Sequence, residues 1–180
     1  MKNKPCTEYA LLGALMSGPK HGYEILQFLG DTLKSTLHVS TSQLYVLLKR
    51  LERDGFLKSS VEIQDSLPSK RTFSLRPAGE KAFLDWIKSP VEHVRDLRME
   101  FLVKIFFFYR LPLEGVEDLI QAQIRRLEKL KEVISGRQNI EKDNFDRLVF
   151  TIRKATIVAW LKWIEEDIIP FMRREGRHKV

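Results

Sequence analysis

The chain has 180 residues, 43% of them hydrophobic, with 31 Lys+Arg against 24 Asp+Glu for a formal net charge of +7; it can bury a real core, which excludes a disordered chain, and its charge favours polyanionic partners. The single cysteine, Cys6, excludes an intrachain disulfide and makes a reducing cytoplasm the expected compartment. No membrane partner is expected, because the strongest apolar run, Phe101 to Tyr109, carries Lys104 and falls far short of the ~20 residues of a spanning helix.

At the N-terminus, Lys2 and Lys4 ahead of Ala10 to Met16 look superficially like a secretion signal, but the apolar run is short and Glu8 interrupts its approach. Thr7 to Met16, rich in Ala and Leu, predicts a short first helix, which Gly18-Pro19-Lys20-His21-Gly22 breaks as a turn. Helical periodicity resumes from Tyr23 to Leu33 through Ile25, Leu26, Phe28 and Leu29. A third helix follows. Ser40 and Gln43 have the spacing of a capping box, in which the serine oxygen and the glutamine side chain satisfy backbone donors left free at a helix start, so the helix begins near Thr41. Gly55 ends it. Leu44, Leu47, Leu48 and Leu51 form one apolar stripe, which turns Ser42, Val46, Lys49 and Arg53 outward.

Beyond Gly55, Leu57 to Gln64 alternates polar and apolar residues as a half-buried strand does, and Arg71 to Leu75 alternates as well. Between them Asp65 to Lys70 holds turn formers and a proline, which predicts a hairpin with an exposed tip. Pro77 then opens a helix over Ala78 to Ile87, at the first-turn position proline tolerates. Three helices, a hairpin and a following helix describe a winged helix-turn-helix.

Periodicity changes character near Pro90, which divides the chain into a module over 1-90 and an all-helical module over 91-180. Arg98 to Leu111 is apolar on most sides and reads as a buried helix. Leu113, Val116, Ile120, Leu127, Leu130 and Ile134 fall on a heptad-like stripe broken at Gln123, so this helix seeks a partner. A last helix, from about Asn144 to Ile169, uses Phe145, Leu148, Ile152, Ala155, Ala159 and Trp163, with Pro170 closing it. The fold class expected is mainly α.

No active site assembles. His21, His38, His93 and His178 are scattered without a second ligand at helical spacing, so no metal is expected. Gly13 to Lys20 misses the phosphate-loop pattern, because Pro19 stands where lysine would follow the glycine. Glu165, Glu166 and Asp167 face different directions as consecutive helical residues and belong to a solvated surface. The chain is therefore not expected to be an enzyme, and no cofactor is implied.

The basic residues carry more. Taken alone, Lys49, Arg50 and Arg53 are the wet side of an amphipathic helix. Their coincidence with a short polar helix start and with Lys70 and Arg71 on a separate hairpin favours a DNA surface. In that arrangement Ser42, Gln43 and Tyr45 stand near base edges or sugar and phosphate, while the hairpin cations reach the flanking backbone. The competing class is a winged-helix protein-interaction adaptor without DNA binding.

Leu11 to Ile25 (LLGALMSGPKHGYEI), Leu44-Tyr45 with Leu47 to Glu52, Gly55, and Phe73-Ser74-Leu75 with Gly79 resemble the PadR family of bacterial transcriptional regulators over about residues 8 to 88. The resemblance implies a winged-helix DNA-binding domain, a homodimer joined by C-terminal helices, and repression of nearby genes. It carries DNA contact over to Ser42, Gln43, Tyr45, Lys49, Lys70 and Arg71, with His21 and Tyr23 as further phosphate-contact candidates. Two positions depart from the family pattern: Val46 stands where proline is common, and Arg76 where a capping threonine is common. The resulting expectation is a dimeric, cytoplasmic repressor on a palindromic double-stranded operator, its half-sites about one helical turn, ~34 Å, apart. Phe106, Tyr109, Trp160 and Trp163 form a candidate pocket for a small aromatic effector at the dimer junction, with core or dimer packing the favoured alternative.

Overall fold

The computed structural model describes residues 5–33, 36–64 and 67–176, with the backbone alone described at Thr32, 62–64, 67–70 and Gly176. The chain divides into two compact units, Met1–Ile87 with Arg98–Phe107, and Lys88–Leu97 with Phe108–Val180.

The first unit is a winged helix. In chain order it contains α1 (Cys6–Ala14), β1 (Lys20–His21), α2 (Gly22–Thr32), α3 (Thr41–Arg53), β2 (Leu57–Gln64), β3 (Leu67–Leu75) and α4 (Pro77–Lys88). The strands form one antiparallel sheet in the order β1-β3-β2. Two local expectations change here. The stretch read as a turn contains β1, whose Lys20 and His21 pair with Phe73 and Thr72, and β3 starts at Leu67 instead of Arg71. Both differences come from pairing between residues far apart in sequence, which local turn chemistry does not encode.

Leu11, Leu12, Ile25, Leu29, Leu44, Leu48, Leu51, Phe73 and Phe83 are fully buried and make the core. Gly13 belongs to it, because a methyl group there would collide with the rings of Phe107 and Phe83; its glycine serves packing. Arg76, which lacks a capping hydroxyl, still starts α4 through its backbone. Its carbonyl accepts from the N–H of Gly79 at 2.8 Å and of Glu80 at 3.1 Å, and its own N–H donates to Phe56 at 2.9 Å.

The apolar run around Lys104 is helical as expected, but it opens with a π-helical turn, Leu97–Phe101, ahead of α5 (Leu102–Arg110). Lys104 is buried, and burial lowers its pKa, against the opposing pull of the Glu100 carboxylate 2.9 Å away. Trp86 also donates its indole N–H to Glu100 at 3.0 Å, and its ring lies 4.8 Å from the Lys104 ammonium. Tyr9 stacks on the same indole at 4.7 Å. One carboxylate thus serves two buried donors, which is how a lysine can sit in an apolar helix.

In the second unit, α6 (Val116–Ile140) and α7 (Asn144–Trp163) pack against each other as a helical hairpin; a π-helical turn (Ile164–Ile168) and α8 (Ile169–Gly176) follow. Asp143 caps α7 by accepting from the N–H groups of Phe145 at 2.9 Å and Asp146 at 3.0 Å. Gln123 does not break the buried face of α6. It is 1% exposed, and its amide accepts from the N–H of Val91 at 2.6 Å and donates to the same residue's carbonyl at 3.3 Å. Pro170 does not end the last helix either. It stands second in α8, straight after the π-helical turn, where a missing N–H and the bulk of the ring are tolerated.

Leu119, Ile120, Leu127, Ile134, Ile157 and Leu161 are buried in this unit. The row foreseen for the last helix lies elsewhere: Phe145 is 70% exposed, Leu148 63% and Ile152 63%, and Ala155 and Ala159 extend the same row. With 3.6 residues per turn this row runs along the side of α7 opposite Ile157 and Leu161. Among the described residues no helix is long and apolar enough to cross a membrane.

Glu100→Ala would remove the carboxylate that the buried Lys104 and Trp86 share. A loss of about 3 to 5 kcal/mol in unfolding free energy is expected, measured by urea titration.

Candidate nucleic-acid interface

The site is built on α3. Ser40 Oγ accepts from the Gln43 N–H at 3.3 Å, and Gln43 Oε1 accepts from the Ser40 N–H at 3.1 Å, which closes the reciprocal cap. Leu44, Leu48 and Leu51 then hold the inner face, with Leu47 half-buried. The outer face shows Ser42, Gln43, Tyr45, Val46, Lys49 and Arg53, all exposed and none acidic. The carbonyl oxygen of Gln43 is engaged in the cap.

Arg50 parts from its neighbours. It pairs with Glu8, a carboxylate only 1% exposed on α1, so this cation fastens α3 to the core instead of serving the outer face. Arg53 stays exposed, beside Asp54 at 3.3 Å.

The hairpin comes to α3 through Arg71. Its Nη2 donates to Glu52 at 2.6 Å and its Nε to Ser59 Oγ at 2.9 Å, while Ser59 donates to Glu52 at 2.5 Å. The guanidinium also lies 5.4 Å from the Phe73 ring centre. Arg71 therefore joins the wing to the recognition helix and remains half-exposed. The Lys70 backbone pairs opposite Glu62, and its side chain lies outside the described residues.

His21 is the N-cap of α2: its N–H donates to Glu24 at 2.6 Å, and its Nδ1 lies 3.1 Å from Thr72 Oγ1. It ties the start of α2 to β3. Tyr23 is exposed on the first turn of the same helix. Tyr45 lies against Gly22, where a Cβ would come within 2.8 Å of its hydroxyl, so a larger residue there would push the tyrosine side chain aside. Around α3 the structure thus brings together Ser42, Gln43, Tyr45, Lys49 and Arg71, with His21 at the β1–β3 pairing.

The aromatic candidates have separate neighbours. Phe106 meets Phe28 and Phe107 in the first unit. In the second, Tyr109 meets Phe171 at 5.4 Å, and Trp160 meets Trp163 edge to face at 5.4 Å.

Sequence reasoning missed Glu52, Ser59 and Glu8. Their partners are far along the chain, and no spacing rule reaches them. Gln123 did leave a signal, since it falls at helical spacing between Leu119 and Leu127, where a buried amide is an alternative to a break.

A three-stranded wing bonded to a capped helix with a polar, cationic outer face defines a winged helix-turn-helix of the DNA-binding class. Residues 11–85 match the model of the transcriptional regulator PadR-like family. The chain is 31% identical over 122 residues to the negative transcriptional regulator PadR of Bacillus subtilis (strain 168), a match covering 66% of this chain and 65% of that protein. The crystal structure of Bacillus subtilis PadR in complex with operator DNA aligns over 88% of this chain and 95% of its own, at 24% identity and a TM-score of 0.47. The crystal structure of smu.1604c from Streptococcus mutans UA159 covers 90% of this chain and 98% of its own, at 26% identity and a TM-score of 0.46.

Proposed function

We propose that the protein is a sequence-specific, dimeric DNA-binding repressor that acts in the cytoplasm on a palindromic operator. The observation that carries this reading is the outer face of α3, where Ser42, Gln43, Tyr45, Val46, Lys49 and Arg53 are exposed and the flanking Glu52 is tied to Arg71 of the wing. Such a helix can enter a major groove, with Ser42, Gln43 and Tyr45 toward bases and sugars and Lys49 toward phosphate. Arg71 reaches the flanking backbone from the wing, Lys70 continues that contact, and His21 and Tyr23 contribute at the start of α2. An adaptor would call for carboxylates left open on this face, whereas Glu52, beside Tyr45 and Lys49, is paired with Arg71. The match of residues 11–85 to a family of transcriptional regulators supports control of transcription, and the similarity to a negative regulator supports repression.

Homodimerisation is the second element. The row Phe145, Leu148, Ile152, Ala155 and Ala159 has heptad spacing and is exposed, so a second copy of this helix is its natural cover. Two recognition helices then address half-sites about one turn of DNA, ~34 Å, apart.

Release by a small aromatic effector completes the proposal. Its support is the aromatic surface of the half-buried Trp160 and Trp163 in the second unit. The alternative role of these rings is packing.

Affinity for a selected promoter fragment is expected to fall steeply with salt, and Lys49→Ala to weaken binding to all sequences alike while reducing the salt slope by about one. Indifference to salt and sequence in an electrophoretic titration would refute DNA recognition. Ile152→Asp should turn the dimer into a folded monomer by sedimentation, and a variant that stays dimeric would show that the row is not the interface. An aromatic acid that acts as effector should quench tryptophan fluorescence and release DNA at the same concentration; quenching without release would remove the regulatory role.

A further inference from the structure

Electrostatics leaves one member of the outer face of α3 without a role. Val46 is 67% exposed, one turn after Ser42 and one before Lys49, in the middle of a row whose other members are polar or charged. It adds nothing to the core, which Leu44, Leu48 and Leu51 fill from the other side. Nor does it favour the helix, since a β-branched residue at an exposed helical position is less favourable than alanine, lysine or glutamate. A lone exposed aliphatic group is ordinary on a protein surface. Its position gives this one a different meaning, because the groups on either side of it are those that would meet base edges.

We propose that Val46 is a specificity-determining residue that reads a thymine methyl group once in each half-site; this rests on the DNA-binding reading above. In the major groove the C5-methyl of thymine is the apolar group among the base edges, and cytosine, adenine and guanine present hydrogen-bonding groups or a bare C–H instead. Ser42, Gln43 and Lys49 fix the helix against the duplex by hydrogen bonds and charge. The isopropyl group between them then meets a methyl group or nothing. Where thymine is present, both apolar surfaces lose water together. Where it is absent, Val46 faces a polar edge that it cannot satisfy, so the same residue favours one base and penalises the others.

Uracil isolates the effect, having the hydrogen-bonding edge of thymine without the methyl group. The full-length protein is first used to select duplexes from a random library. The selected operator is then synthesised with deoxyuridine in place of each thymine in turn. One thymine per half-site should stand out, its replacement weakening the wild-type protein about fourfold, the factor expected for one buried methyl group, and ~15-fold when both half-sites are changed. Val46→Ser should bind thymine and uracil operators equally at that position, and Val46→Ala should fall between. Lys49→Ala should bind more weakly yet keep the thymine-to-uracil ratio. Tolerance of uracil at every position, or an unchanged ratio in Val46→Ser, would overturn the proposal while leaving DNA binding intact. Failure to enrich any duplex would overturn the DNA-binding reading and this inference with it.

Discussion

The rotation of α3 about its own axis is the constraint on which the site depends. Leu44, Leu48 and Leu51 have no exposed surface, so any roll of the helix would bring a leucine into water at a cost of about 1.5 to 3 kcal/mol per side chain. The pair of the buried Glu8 with the half-exposed Arg50 fastens the same roll from one flank, and Glu52 with Arg71 does so from the side of the wing. What faces solvent on α3 is thus decided by what faces inward. Lys49 and Val46 need no bonds of their own to be held outward.

This is why α3 was the most legible part of the sequence. Its cap is a local pattern, its leucines obey one period, and the two together give both the start and the outward set. The hairpin was legible as an element, but its partners were not: β1 is two residues long and exists through pairing with Phe73 and Thr72. Arg50 shows the limit most clearly. Its sequence neighbours are solvated cations, and only the fold reveals the carboxylate of Glu8 beside it. Pro170 and Gln123 were misread for a related reason. By local rules a proline stops a helix and a polar residue interrupts an apolar face, whereas here a wide turn and a pair of backbone hydrogen bonds accommodate them.

The chemistry divides between the units. In the first, the exposed face of α3 is polar and cationic, suited to a ligand that keeps much of its hydration. In the second, the exposed face of α7 is aliphatic and aromatic, suited to a surface that sheds water. Such opposite surfaces on one chain fit the division of labour proposed here, with one face reading a duplex and the other joining copies. Both arise in the same way, as the side of a helix left over after its other side has been buried.

The exposed row of α7 also has a measured length. From Phe145 to Ala159 it covers roughly 21 Å of helix, and then Lys162 and Glu166, 3.8 Å apart, bring charge onto the surface. Any helix laid along it meets a boundary at that point: sliding by one heptad would set an ammonium or a carboxylate against an aliphatic side chain. The row therefore works as a ruler for a partner helix, favouring one alignment and penalising slippage along α7.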